Sequence, residues 1–307
     1  MNIETLDLLR ESLPYIQRFQ GKTFVVKFSG KVTEDKDNLA SLAEELALLH
    51  QVGIRVCVVH GGGKQLTELA ERLGVVQTVI GGRRVTDDDT LDLAKMIFRG
   101  KINTEILSAL RHRGVHAVGL SGVDGGVVRA VKRPPRDIVV DRQTGATEQV
   151  DFGHVGDVVN VDVRLIELLL GSGYLPVISS LGADDSGKVF NINADTIASE
   201  IAAELRAEKL VLLSDVNGIY LNERDESSKL SRLTTSEART MIEAGQATGG
   251  MVPKLENLIG LLERGVGSAH VIGGNVRNAL LAEVFTDEGT GTMVMSGRAT
   301  EKKPLGK

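Results

Sequence analysis

The 307-residue chain has a single cysteine, Cys57, which excludes an intrachain disulfide and a cysteine-built zinc site. It has no basic excess. Lys and Arg number 36 against 41 Asp and Glu, a formal charge of −5, whereas a broad nucleic-acid footprint needs a basic balance. No apolar run reaches the roughly 18 residues of a membrane-spanning helix. The opening stretch MNIETLDLLRESLPYIQRF carries three acidic residues before Ser12 and no cleavage signal, so a reducing, cytoplasmic setting is the expectation. Internal repeats, low-complexity tracts and long linkers are absent, as is the G-x-x-x-x-G-K-[ST] loop of P-loop nucleotide binding. What is present is core material: 42% hydrophobic residues, 35 glycines and 25% charged residues, the composition of a soluble globular protein. The length fits two units or one large α/β domain.

Apolar, β-rich runs recur at 23–28, 54–59, 115–120, 174–179, 210–214 and 268–272. Helix-period stretches lie between most of them. Residues 38–51 place Leu39, Leu42, Ala43, Leu46 and Leu49 on one face; others run over 65–73, 162–170, 194–206, 236–244 and 252–264. A longer pattern at 86–113 is expected to break at Gly100. Strands alternating with helices predict a mostly parallel sheet covered on both faces, with ligands outside the carboxyl ends of its strands. Two stretches depart from the alternation. Residues 127–161 read as hairpins, with IVVD and TEQVD flanking a turn at 142–145. Residues 1–20 read as an amphipathic helix with Leu6, Leu9, Leu13 and Ile16 on one side and a kink expected at Pro14. That stripe must be buried on this core or on another subunit.

The chemistry-bearing residues cluster at strand ends. VVKFSGK puts Lys27 inside an apolar strand and Gly30 just past it; a lysine there needs an anionic partner or a path to water. VVHGGGK places three glycines, Gly61 to Gly63, between a strand and a helix, where backbone N–H groups favour an anion; a plain glycine turn is the alternative. Arg83 and Arg84 precede Thr86, the expected N-cap of the next helix. An arginine there can clamp a carboxylate with two parallel bonds or simply lie in solvent. FNINADTIAS sets Asn191, Asn193 and Asp195 at alternate positions, suited to a polar ligand or a lysine, although Asn193 or Asp195 also suits a helix cap. LSDVNG brings Asp215 and Gly218 to the end of another strand. GGMVPK supplies Gly249, Gly250 and Met251 as a mobile loop before Lys254, with Pro253 in the first helical turn.

Taken in order, K-x-x-G, HGGG, RVTD, GLSGVDG, NINAD, LSDVNG and TGGMVPK resemble the ordered motifs of the N-acetylglutamate kinase family, in the amino-acid kinase superfamily, over about residues 12 to 295. LPYIQRF and EVFTDEGTGTMV resemble its arginine-regulated branch. The resemblance implies a three-layer α/β/α sandwich with a mostly parallel central sheet and two lobes. Residues 1–20 would be an oligomerisation helix, 21–206 the lobe that binds the acidic substrate and dimerises, and 207–307 the lobe that binds ATP and arginine. It implies transfer of the γ-phosphoryl of ATP to the side-chain carboxylate of N-acetyl-L-glutamate, the second step of arginine biosynthesis, with Mg²⁺ carried on the ATP phosphates. Lys27, Lys254 and Asp195 would be catalytic. Gly62, Gly63, Arg84 and Asn191 would hold the acceptor. Gly30, Asp215, Gly218, Gly249, Gly250 and Met251 would line the ATP site. Tyr15 and Glu283 would meet an arginine effector. A hexamer built as a trimer of dimers, and a PII-type signal protein as partner, belong to the same implication; nucleic acid and membranes do not. The sequence departs from the family at Ser29, where the family has glycine, at Val123, and at Gly273, Asn275 and Asn278, where regulated members show a D-G-R-x-P-H pattern. Two other readings share the fold: a kinase for carrier-linked 2-aminoadipate in lysine biosynthesis, and a non-catalytic effector-binding protein.

Overall fold

Successive residues of the first strand, β1 (Thr23–Phe28), enter opposite cores: Val25 packs in one, Val26 and Phe28 in the other. The same division holds for Cys57 and Val59 against Val56 and Val58 in β2 (Arg55–His60). A sheet buried on both faces follows, and near-continuous apolar strands are its signature. The computed structural model describes residues 3–139, 147–222, 225–247, 251–286 and 289–297.

The remaining strands of the main sheet are β3 (Ala117–Ser121), β4 (Leu175–Ser179), β5 (Lys209–Ser214), β6 (Arg232–Thr234), β7 (Ser268–Gly273) and β8 (Thr292–Met295). Eight strands lie in the order β6-β8-β7-β5-β1-β2-β4-β3, and every neighbouring pair is parallel except β7 with β8. Helices Ala194–Glu204 and Met251–Glu263 cover one face through Ile197, Ile201, Leu255 and Leu258. Helices Lys36–Gln51, Asn103–His112 and Ala279–Phe285 cover the other through Leu42, Leu46, Ile106, Leu110 and Leu280. The fold is a mixed α/β, three-layer arrangement. The chain leaves β1 on one side to build β2, β3 and β4, then returns to the other side with β5. The β1–β5 boundary is therefore a topological switch point, the place where such sheets bind ligands.

A smaller four-stranded sheet (Val189–Asn191, Leu181–Ala183, Val128–Lys132, Gly156–Val161) and a hairpin (Arg136–Val139 with Thr147–Val150) account for the region read as hairpins; its turn at 142–145 lies outside the described residues. The expected break at Gly100 does not occur. The helix runs on through a π-helical stretch, Lys95–Ile102, between Asp88–Ala94 and Asn103–His112. The wider i→i+5 turn accommodates the glycine without ending the helix. Near the expected lobe boundary, Arg206 adopts a left-handed φ of 46° after the helix Ala194–Glu204. The chain then inserts β5 directly beside β1, so the segments before and after residue 206 share one sheet. The N-terminal helix, Ile3–Phe19, is anchored where Phe19 meets Phe24 edge-on at 5.3 Å; Leu13 of its apolar stripe stays 52% exposed.

Candidate active site

At the carboxyl end of β1, the Lys27 side chain is only 12% exposed and its ammonium lies 2.7 Å from Asp195 Oδ1. Helix Ala194–Glu204 holds that carboxylate in its first turn. The cap is Asn193, whose side-chain oxygen accepts from the Asp195 and Thr196 N–H groups at 2.7 and 3.3 Å, so Asp195 is left for the lysine. Lys254, in the first turn of Met251–Glu263, donates to Ser214 Oγ at 3.4 Å. Desolvation moves the Lys254 pKa below its ordinary 10.5; Lys27 pushes the same way, while Asp195 and Asp215 oppose it. Two ammonium groups and two carboxylates thus share one field, and Lys31, the partner of Asp215, leaves one positive charge in excess. Asp215 joins the cluster from the end of β5 and pairs with Lys31 at 2.6 Å.

Gly30 opens the short helix Lys31–Glu34, and a Cβ there would lie 2.1 Å from Gln65 Oε1. The buried Gln65 amide donates to the Gly30 carbonyl and, at 3.1 Å, to Thr33 Oγ1. Gln65 belongs to helix Gly63–Leu73, so it ties the Gly30 turn to the Gly61–Gly63 turn. Gly218 has φ +119°, a left-handed position suited to glycine, and a Cβ would come within 2.8 Å of Thr292 Oγ1. Met251 begins its helix half-buried; Gly249 and Gly250 lie outside the described residues.

The second half of the site forms around the end of β2. Gly62 caps helix Gly63–Leu73, whose first N–H groups carry the positive end of the helix dipole. Arg84, on a two-residue strand, donates through Nη2 to the Gly63 carbonyl at 2.7 Å and to Thr67 Oγ1 at 2.6 Å. Its Nη1 is buried and has no hydrogen-bond partner, and desolvation lowers the guanidinium pKa. A buried donor left unmade is costly, and an incoming carboxylate would satisfy it. Asn191 donates to Thr86 Oγ1 at 3.2 Å. Thr86 is not the expected N-cap. Its backbone bonds to Phe152 and His154 in a strand-like bridge, and the cap is Asp87, which accepts from Thr90 N–H at 2.8 Å.

The two effector candidates lie elsewhere. Tyr15 is half-buried and packs against the core that includes Leu42, Leu46 and Leu280. Glu283 is buried, with Oε1 2.6 Å from His270 Nδ1 and Oε2 accepting from Thr290 N–H at 2.8 Å and Gly291 N–H at 3.2 Å. Burial opposes its charge, but these donors hold its pKa down at about 2. Both oxygens already accept hydrogen bonds within the core. Asn278 adopts φ 60°, a left-handed conformation that asparagine tolerates, and it does not cap helix Ala279–Phe285. Glu45 does so instead, accepting from Leu280 and Leu281 N–H at 3.0 and 3.3 Å.

The chain matches the model of the Amino acid kinase family over residues 22–273. It is 46% identical to the acetylglutamate kinase of Symbiobacterium thermophilum over 298 residues, 96% of this chain and 100% of that one. It belongs to the amino acid kinase family, among the acetylglutamate kinases. The acetylglutamate kinase of Methanocaldococcus jannaschii is 43% identical over 95% of this chain and 96% of that relative. Among solved structures, the N-acetylglutamate synthase of Neisseria gonorrhoeae complexed with coenzyme A and N-acetyl-glutamate superposes with a TM-score of 0.78 at 29% identity; it covers 94% of this chain, which spans 63% of the synthase. Giardia carbamate kinase, at 17% identity and a TM-score of 0.65 over 90% of this chain and 99% of that one, shares the fold. Membership of the acetylglutamate kinases makes the chain a kinase.

Sequence reasoning missed Lys31, Gln65 and Ser214. Gln65 carried a signal: a polar residue two places after the glycine turn, on the face of its helix that also carries the buried Leu66. Lys31 and Ser214 flank motif residues, and their partners are distant in sequence, so no local pattern marks them.

Proposed function

We propose that the chain transfers the γ-phosphoryl group of ATP to the side-chain carboxylate of N-acetyl-L-glutamate, giving N-acetylglutamyl 5-phosphate and ADP in arginine biosynthesis. The observation that carries this reading is the excess positive charge of Lys27, Asp195 and Lys254 at the β1–β5 switch point. A carboxylate is already a nucleophile at neutral pH and needs no base. The barrier is the approach of one anion to another, so positioning and positive charge supply the catalysis. Lys27 holds the transferring phosphoryl group, Lys254 the phosphoryl and leaving-group side, and Asp195 orients both lysines. Gly30 leaves room for the phosphates. The Gly62 and Gly63 N–H groups hold the reacting end of the acceptor, while Arg84 and Asn191 hold its α-carboxylate. Asp215, Gly218 and residues 249–251 line the nucleotide.

Among the described residues no group of three or more His, Cys, Asp or Glu side chains is arranged to hold a metal ion. Mg²⁺ would arrive on the ATP phosphates, since magnesium favours phosphate oxygens and retained waters, and would neutralise their charge there. Trapping the acyl phosphate with hydroxylamine tests the reaction. Hydroxamate must form with ATP and N-acetyl-L-glutamate; folded protein giving none at millimolar substrate would end this reading, and product from carrier-linked 2-aminoadipate alone would move it to lysine biosynthesis.

The finer assignments belong to the same proposal: a cytoplasmic enzyme, lobes meeting near residue 206, a hexamer joined through helix Ile3–Phe19, arginine as effector beside Tyr15 and Glu283, and a PII-type protein as partner. The exposed Leu13 on the N-terminal helix is a position that a second subunit would cover. Solution mass with and without residues 1–20 and an arginine titration of activity test these assignments.

A further inference from the structure

Beneath the glycine turn lies a fully buried polar pair that the mechanism above does not use. His60, the last residue of β2, and Asn103, the first of helix Asn103–His112, are both 0% exposed within the apolar face formed by Val56, Val58 and Val177. Asn103 Nδ2 lies 3.0 Å from the Val177 carbonyl and 3.1 Å from His60 Nε2. A carbonyl only accepts, so Val177 fixes which end of the Asn103 amide faces the sheet. The same NH₂ group then meets Nε2, which must be the unprotonated ring nitrogen. The ring proton therefore sits on Nδ1, 3.1 Å from the Gly61 carbonyl, to which it donates. In a trans peptide the carbonyl of Gly61 and the N–H of Gly62 point opposite ways. Drawing the Gly61 carbonyl toward His60, on the face of Val58, turns the Gly62 N–H toward the face that carries Lys27.

The surroundings fit a device for holding this turn. Gly62 sits so close to the π-helical stretch that a Cβ would lie 2.3 Å from Ile102 Cδ1 and 2.7 Å from the Phe98 ring. Inserted π turns recur at functional sites. Arg99 of that stretch donates to Asn103 Oδ1 at 3.4 Å, so the amide is held from both ends. Burial, and to a lesser degree the Arg99 charge, pushes the His60 pKa down to about 4, against the bond to Gly61.

We propose that Asn103 and His60 form a positioning relay in which the Val177 carbonyl orients the Asn103 amide, the amide selects the Nδ1–H tautomer of His60, and that N–H aims the Gly62 amide at the acceptor carboxylate. The inference rests on the acceptor assignment of Gly62 and Gly63. His60 is a positioning residue and touches no reacting atom.

Two measurements test it. Side-chain ¹⁵N NMR of the unmodified full chain must show His60 neutral as the Nδ1–H tautomer at pH 7; an Nε2–H tautomer or an imidazolium would overturn the relay, whatever the substrate. Calorimetric titration with N-acetyl-L-glutamate and, separately, a non-hydrolysable ATP analogue then compares His60→Leu, Asn103→Leu and His60→Asn, the last keeping an N–H near the Nδ1 position. Loss of the aimed amide should weaken acceptor binding about tenfold in the leucine variants. Nucleotide binding should stay within about twofold, and His60→Asn should recover most of the acceptor affinity. Equal weakening of both ligands, unchanged acceptor affinity, or His60→Asn no better than His60→Leu would overturn it. Should the leucine variants fail to fold, the tautomer and His60→Asn still decide. If the unmodified chain binds no N-acetyl-L-glutamate, the acceptor assignment falls instead, and the tautomer alone judges the relay.

Discussion

One strand, β5, carries a buried lysine cluster at each end. At its amino end Lys209 is 8% exposed, its ammonium 3.0 Å from His270 Nε2, while His270 Nδ1 meets Glu283 at 2.6 Å. Burial pushes the Lys209 pKa down to about 8, with Glu283 opposing the shift. At its carboxyl end Ser214 accepts from Lys254, which shares its field with Lys27 and Asp195. Both clusters combine lysine and carboxylate in a desolvated setting. They differ in how the charge is closed. Lys209 and Glu283 balance one for one through a histidine, and both are sealed in the core. Lys27, Lys254 and Lys31 outnumber Asp195 and Asp215, and the Asp195 carboxylate is 41% exposed. On the proposed reading a buried lysine is not in itself the mark of a phosphoryl site; an uncompensated charge at an open switch point is.

The comparison breaks most readily at Lys27. Replacing it with alanine should lower kcat by about a hundredfold or more, the scale of a lost transition-state charge contact, while the melting temperature stays near that of the parent. Turnover close to normal would remove the excess charge from the mechanism.

A smaller effect is expected at the acceptor end. Arg84→Lys should raise the KM for N-acetyl-L-glutamate by about tenfold and leave the KM for ATP nearly unchanged, because lysine lacks the planar fork whose Nη1 is unpartnered. An effect confined to ATP would place Arg84 on the wrong substrate.

The smallest effect is in the pH profile. In the proposed mechanism Lys254 acts as a cation, and burial lowers its pKa from 10.5, so its charge is lost at a lower pH than that of a free lysine. The rate should fall on the alkaline side before pH 10.5, whereas acidification below neutrality leaves this group charged. A rate still flat through pH 10.5 would show that the burial does not reach the ammonium.

The main strands were legible because they are buried on both faces and read as unbroken apolar runs; β1 matches its predicted limits, Thr23–Phe28. The edge strand β6 and its neighbour β8 were not, being three and four residues long and held by the sheet more than by any period of their own. In the site, Lys27, Asp195, Arg84 and the glycines were legible because their chemistry is unusual for their local setting. Thr86 and Asp87 exchanged roles because a bridge to residues near Gly153, more than sixty positions away, took up the threonine backbone. His60 hid inside a glycine motif, and its partner Asn103 lies 43 residues on. Contacts across such distances leave no trace in local periodicity.

The two ends of β5 offer the most direct test of charge excess against charge balance. Lys254→Ala and Lys209→Met, assayed side by side for acyl phosphate formation, separate an uncompensated charge from a balanced one. The account predicts that Lys254→Ala loses about a hundredfold in kcat while Lys209→Met stays within about threefold of the parent. Equal losses in the two folded variants, or the larger loss at Lys209, would contradict it.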